Sequence, residues 1–137
     1  MKKVIFAMLL IGNILLFGSY EKNLNERMAP IEKRYEKFTV DSKYTNVDHI
    51  IVTGEALTAW NKEINTVYQL LMKKLSKEEQ GKLRDRQRNW IKEREQAADE
   101  AEDFRYQEYN EPTKLDVIYI WTKNRTIELA RMYDVFD

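Results

Sequence analysis

The sequence predicts an all-α fold, a small antiparallel helical bundle of three long helices preceded by a short N-terminal helix. Three observations carry this. Apolar residues recur at steps of three and four along three separate stretches, which collects them on one face of a helix. Chain breakers are scarce, with four Gly and two Pro in 137 residues. Straight-chain Glu, Lys, Gln, Arg, Leu and Met are abundant, which favours long helices over a strand-rich sandwich with its frequent turns.

The chain opens with Met1-Lys2-Lys3 and then an apolar run, Val4 to Phe17, interrupted only by Gly12 and Asn13. This is the layout of a secretory signal peptide, placed over residues 1–19. A membrane-spanning helix needs about 20 apolar residues, so membrane contact is expected only through an uncleaved signal segment. With no Cys in the chain there is nothing for a lipid anchor at the cut. The expected location is periplasmic or secreted.

Residues 20–52 read as a leader. Tyr20 to Met28 is polar and expected to be flexible; Ile31, Tyr35 and Phe38 predict a short helix over Pro30–Lys37, with Pro30 in its first turn. Thr39 to Asp48 reads as a loop, and Ile50-Ile51-Val52 as a brief strand or an apolar staple. The helical domain is expected over 53–137. Thr53 is the expected cap of a helix bearing Leu57, Trp60, Ile64, Val67, Tyr68, Leu71 and Leu75. Ser76-Lys77-Glu78-Glu79 fits a capping box opening the next helix, whose face carries Leu83, Gln87, Trp90, Ile91, Arg94, Ala98 and Ala101. Asn110 to Thr113 breaks the chain at Pro112. A last helix over Lys114–Tyr133 carries Leu115, Ile118, Trp121, Arg125, Leu129 and Met132. Short connections favour an antiparallel bundle, and one Trp per helix predicts that all three meet in or near one core.

Charge bounds the function. The 23 basic and 23 acidic residues cancel; loss of Lys2 and Lys3 with the signal leaves 21 basic against 23 acidic, a net −2. A nucleic-acid partner is not expected from such a balance. An exported domain of this size without disulfides must be held by packing alone. Catalysis is not expected either. His49 is the single histidine, beside Asp48, and with no Cys or second His there is no metal site, no cofactor site and no nucleophile relay. A paired-carboxylate glycosidase needs a deep cleft that a narrow three-helix bundle rarely provides.

Three blocks carry a resemblance. They are Ile64-Asn65-Thr66-Val67-Tyr68, then Leu83-Arg84-Asp85-Arg86-Gln87-Arg88-Asn89-Trp90-Ile91-Lys92-Glu93-Arg94-Glu95, then Thr122-Lys123-Asn124-Arg125-Thr126-Ile127-Glu128-Leu129. In order and spacing the chain resembles the LprI-type lysozyme inhibitor domain, a family of small exported bacterial proteins, over roughly residues 56 to 133. The family's usual cysteines and its Gly-rich stretch before the last helix are missing here. The resemblance implies a helical domain that binds a protein partner and inhibits a lysozyme-like muramidase.

The family-motif residues are Asn65, Tyr68, Leu83, Arg84, Gln87, Trp90, Arg94, Arg125 and Leu129. Two readings are open for Gln87, Trp90, Arg94 and Arg125: a binding face, or a Trp packed in the core with polar neighbours bonded around it. Their spacing puts them with Leu83 on the buried face, which favours the second. The partner-binding candidates come from the acidic run Glu93 to Glu111, namely Glu93, Asp99, Glu100, Glu102 and Asp103, with the interleaved aromatics Phe104, Tyr106 and Tyr109. Acidic charge would draw in a cationic partner such as an animal lysozyme, and aromatics anchor interfaces. The alternative function is a non-catalytic envelope module, structural or adhesive, that binds another surface protein.

Overall fold

The computed structural model describes residues 18–41, 43–103 and 113–136. The expected signal segment, apart from Gly18 and Ser19, therefore lies outside the described residues, as do Phe104, Tyr106 and Tyr109. Four helices make up the fold: α1 (Ser19–Val40), α2 (Asn46–Lys74), α3 (Lys77–Asp103) and α4 (Lys114–Asp134). Among the described residues there is no strand.

The polar stretch expected as a flexible leader is the first half of α1, which runs over 22 residues in place of the short helix expected from Pro30. Glu21, Leu24 and Met28 fall at steps of three and four on its buried face. The partner that makes Glu21 tolerable there is distant in sequence: Arg131 Nε donates to it at 3.0 Å. The first turn of α1 is capped from the other end of the chain, since the Asp134 carboxylate accepts the N–H groups of Tyr20 at 2.9 Å and Glu21 at 3.0 Å. Gly18 is needed at this junction, because a Cβ there would stand 2.1 Å from Asp134 Cγ. Pro30 lies inside the helix on its exposed side and forfeits one backbone hydrogen bond.

α2 begins seven residues before the expected Thr53 cap, because Thr45 and Asp48 form a full capping box. Residues expected as the end of a loop and as a strand, including His49 and Ile50-Ile51-Val52, are thus helical. Thr53 is fully buried, and its hydroxyl donates to the His49 carbonyl at 2.8 Å. The link to α3 is as short as expected. Ser76 and Glu79 bond each other's backbone amides, and Gln80 Nε2 donates to the Met72 carbonyl at 2.8 Å. α4 starts at Lys114 as expected, with Thr113 and Asp116 as a second complete capping box.

Side-chain pairs give the helix directions. Arg27 with Glu63 and Arg34 with Glu55 set α1 antiparallel to α2; Glu21 with Arg131 and Tyr35 with Asp116 set it antiparallel to α4. Gln87 with Arg125 and Asp99 with Lys114 set α3 antiparallel to α4. α2 and α4 run parallel, His49 meeting Asp116 at one end and Lys74 lying over the Tyr133 ring at the other. α2 and α4 share the most extensive interface, and α3 leans chiefly on α4. The core is Leu24 and Met28 of α1, the α2 stripe from Ala56 through Trp60 to Leu71, Leu83, and Tyr119, Leu129 and Ala130 of α4.

Two expectations about this core are corrected. The three Trp do not all meet there: Trp60 is 1% exposed within the core and half-buried Trp90 packs against it, whereas half-buried Trp121 stands outside it at the α3–α4 boundary. The buried face of α4 is also rotated from the one expected. It comprises Asp116, Tyr119, Thr122, Thr126, Leu129 and Ala130, while Leu115, Ile118, Trp121, Arg125 and Met132 are partly exposed. α4 is packed by three helices, and its small Thr side chains serve that crowding by donating to their own helix, Thr122 to the Ile118 carbonyl and Thr126 to the Thr122 carbonyl, each at 2.7 Å.

Candidate functional site

Two clefts flank α3, with Trp90 lining both. The first lies between α3 and α4, has a volume of about 560 Å³, and is lined by Arg86, Asn89, Trp90, Glu93, Ile120, Trp121, Asn124, Arg125 and Glu128. The second, about 320 Å³, lies between α2 and α3 and takes in Ile64, Asn65, Tyr68, Arg84, Gln87, Ile91 and Arg94 among others.

Seven of the nine family-motif residues are thereby brought together around one helix, lining these clefts: Asn65, Tyr68, Arg84, Gln87, Trp90, Arg94 and Arg125. Leu83 and Leu129 lie beneath, at 4% and 0% exposure. Within the set the polar members tie α3 to α4. Arg125 Nε donates to Gln87 Oε1 at 3.0 Å, and Arg125 Nη1 to Glu128 at 2.9 Å. Arg94 Nη1 donates to Thr122 Oγ1 at 3.2 Å, while its guanidinium carbon stands 5.0 Å from the Trp90 ring centroid. Asn65 and Arg84 are exposed and Tyr68 is half-buried.

Of the acidic candidates, Glu93, Asp99 and Glu100 are exposed on the second half of α3. Asp99 is bonded to Lys114 at 2.6 Å and Glu100 accepts from Gln96 at 3.2 Å. Glu102 and Asp103 belong to α3, and their side chains fall outside the described part, as do Phe104, Tyr106 and Tyr109. The end of the bundle to which α3 points also carries the α1–α2 connection, where Val40, Val47, Ile50 and Ile51 are all more than half exposed. Phe38 and Tyr44 stack there at 4.2 Å, flanked by Arg34, Lys37 and Lys43.

His49 lies at that end, half-buried in the first turn of α2. Its Nε2 is 2.8 Å from Asp116 Oδ1, which also accepts from Tyr35 Oη at 3.3 Å and Thr53 Oγ1 at 3.4 Å; the other carboxylate oxygen takes Thr113 N and Oγ1. Burial works against charge on Asp116, but the bonds from His49 and Thr113 outweigh it and hold the carboxyl below the usual range. Burial, and then the neighbouring Asp116, push the Tyr35 hydroxyl well up. One layer further in, Glu32 accepts Trp60 Nε1 at 2.7 Å and Tyr119 Oη at 2.8 Å, and pairs with Lys123. Burial, and then Glu32, raise the Tyr119 hydroxyl well above its usual value. These layers join α1, α2 and α4. The Thr53 hydroxyl is directed at its own helix carbonyl and at Asp116, so the His–Asp pair has no nucleophile poised on it among the described residues.

The sequence did not reveal that Trp121 and Asn124 of α4 share a cleft with Asn89 and Trp90 of α3. The signal was present in the steps Trp121, Asn124, Arg125 and Glu128, which lie on one helix face, but that face was assigned to the core.

Among the described residues no helix is long and apolar enough to cross a membrane, and no cluster of His, Cys, Asp and Glu is arranged to hold a metal ion. No curated protein and no solved structure matches the chain. The family whose model does match is described as lysozyme inhibitor LprI, over residues 39–129, from the last turn of α1 through most of α4.

Proposed function

Because the chain belongs to the LprI lysozyme inhibitor family, we propose that it is an exported, non-catalytic binding protein that engages and inhibits a lysozyme-like muramidase. The family match over more than half of the chain is the observation that carries this reading. The surface chemistry supports a docking role at one end of the bundle, the end toward which the acidic half of α3 runs and where four aliphatic side chains are exposed. The acidic groups, Glu93, Asp99, Glu100, Glu102 and Asp103, steer a cationic muramidase toward the contact, and Val40, Val47, Ile50 and Ile51 supply apolar area to be buried in it. Phe104, Tyr106 and Tyr109, in the α3–α4 connection, are the aromatic anchors of this reading.

The test is the rate of cell-wall lysis by a cationic animal lysozyme, with and without the purified protein, at low and high salt. Dose-dependent inhibition that weakens with salt is the expected result. Lysis unchanged by excess folded protein at every ionic strength would overturn the reading and leave the alternative, an envelope module that binds another surface protein.

A further inference from the structure

The polar side chains of the α3–α4 cleft fall into two groups. Arg125 is bonded to Glu128 on its own helix and, beyond the cleft lining, to Gln87 of α3, which ties the two helices together, while its Nη2 is buried with no partner among the described residues. Arg86, Asn89, Glu93 and Asn124 line the same space and make no hydrogen bond or ion pair with another described residue. The same division separates the tryptophans. The Trp60 indole N–H is engaged by Glu32 at 2.7 Å. Those of Trp90 and Trp121 have no partner among the described residues, and neither is fully buried.

A half-buried indole with its N–H free is ready to present a flat apolar face and a hydrogen-bond donor to the same ligand. Here two of them stand in one open cleft with two primary amides, each able to donate and accept. The charges balance, Arg86 against Glu93 and Arg125 against Glu128, so the cleft has no preference for a strongly charged ligand. Ile120 is its one aliphatic lining residue among those described, too little for a lipid chain or an apolar peptide anchor. Its volume lies within the range of about 300–1,000 Å³ usual for small-molecule sites.

The geometry points to a carbohydrate-binding cleft: the face formed by Trp90, Asn89, Trp121 and Asn124 takes a neutral oligosaccharide, its pyranose rings against the indoles and its hydroxyl or acetamido groups on the two amides and Glu93. This does not rest on inhibition of a muramidase, and it would place the protein on glycan as well as on a protein partner.

The three indole N–H signals of the protein in a ¹H–¹⁵N spectrum give a direct test, with chitotriose as the probe. Titration to millimolar concentration moves the Trp90 and Trp121 signals and leaves that of Trp60 in place. Asn124→Ala, an exposed change that favours the helix, and Trp121→Ala weaken the response by about tenfold or more; an unmoved Trp60 signal in each variant shows that its fold is intact. Unmoved Trp90 and Trp121 signals, or an undiminished response in Asn124→Ala, overturn the inference. Movement of both signals with a muramidase and not with chitotriose also overturns it, and assigns the cleft to a protein interface.

Discussion

Asp116 shows how much one buried side chain can connect. It caps α4 through Thr113, and it accepts from His49 and Thr53 of α2 and from Tyr35 of α1, at 3% exposure. Its carboxyl is held below the ordinary value of about 3.9. A depressed folded value means that the contribution to stability is complete above the unfolded value and is lost as pH falls through the folded one. Asp116→Asn is therefore expected to cost about 1–3 kcal/mol near neutral pH, with wild-type and variant stabilities converging as the pH falls into the acid range. Urea denaturation across a pH series checks this; parallel profiles would show that the charge on Asp116 is not what stabilises the junction.

At the scale of elements, helix ends decide much of the architecture. Three of the four helices open on a side chain three residues downstream, Thr45 with Asp48, Ser76 with Glu79 and Thr113 with Asp116. α1 borrows its cap from Asp134, so Asp134→Ala is expected to fray the first turn of α1 and to cost about 1 kcal/mol. Faster amide exchange at Tyr20 and Glu21, with exchange at the α2–α4 contact unchanged, would confirm it; uniform exchange rates would contradict it. These ends also explain what could be read in advance. The boundaries of α3 and α4 were legible because each signal is local: a capping box after Leu75, and a break at Pro112. The start of α2 is harder to read because Thr53 is a plausible cap, while the stronger pair, Thr45-x-x-Asp48, sits in a polar stretch without apolar period. The first half of α1 is hidden in the sequence because Glu21 and the Asn residues read as polar leader, and the groups that make Glu21 and the first turn fit, Arg131 and Asp134, lie more than a hundred residues away. The α4 face was misjudged for a related reason, since a helix packed on three sides buries small Thr residues that a hydrophobic stripe does not register. The candidate clefts were legible as motif residues but not as clefts, because their walls come from three helices whose arrangement no local pattern encodes.

Across the whole molecule, the parallel pair α2 and α4 forms the spine, with α1 and α3 on its flanks. The family match begins at Thr39, near the end of α1, yet α1 supplies Leu24, Met28 and the Glu32 that satisfies both Trp60 and Tyr119. A fragment beginning at Asp41 is therefore expected to lose cooperative unfolding, because it exposes the Trp60 layer and strands its polar groups. A broad thermal transition by circular dichroism would bear this out, and a sharp transition at the full chain's midpoint would refute it. The contact of Asp134 with the first turn of α1 joins the end of the last helix to the beginning of the first, a fourth junction beside the three made by the chain. The helices then have a cyclic order, and each keeps the same neighbours whichever turn is taken as the opening. The packing of the four helices therefore does not depend on which of these junctions is covalent.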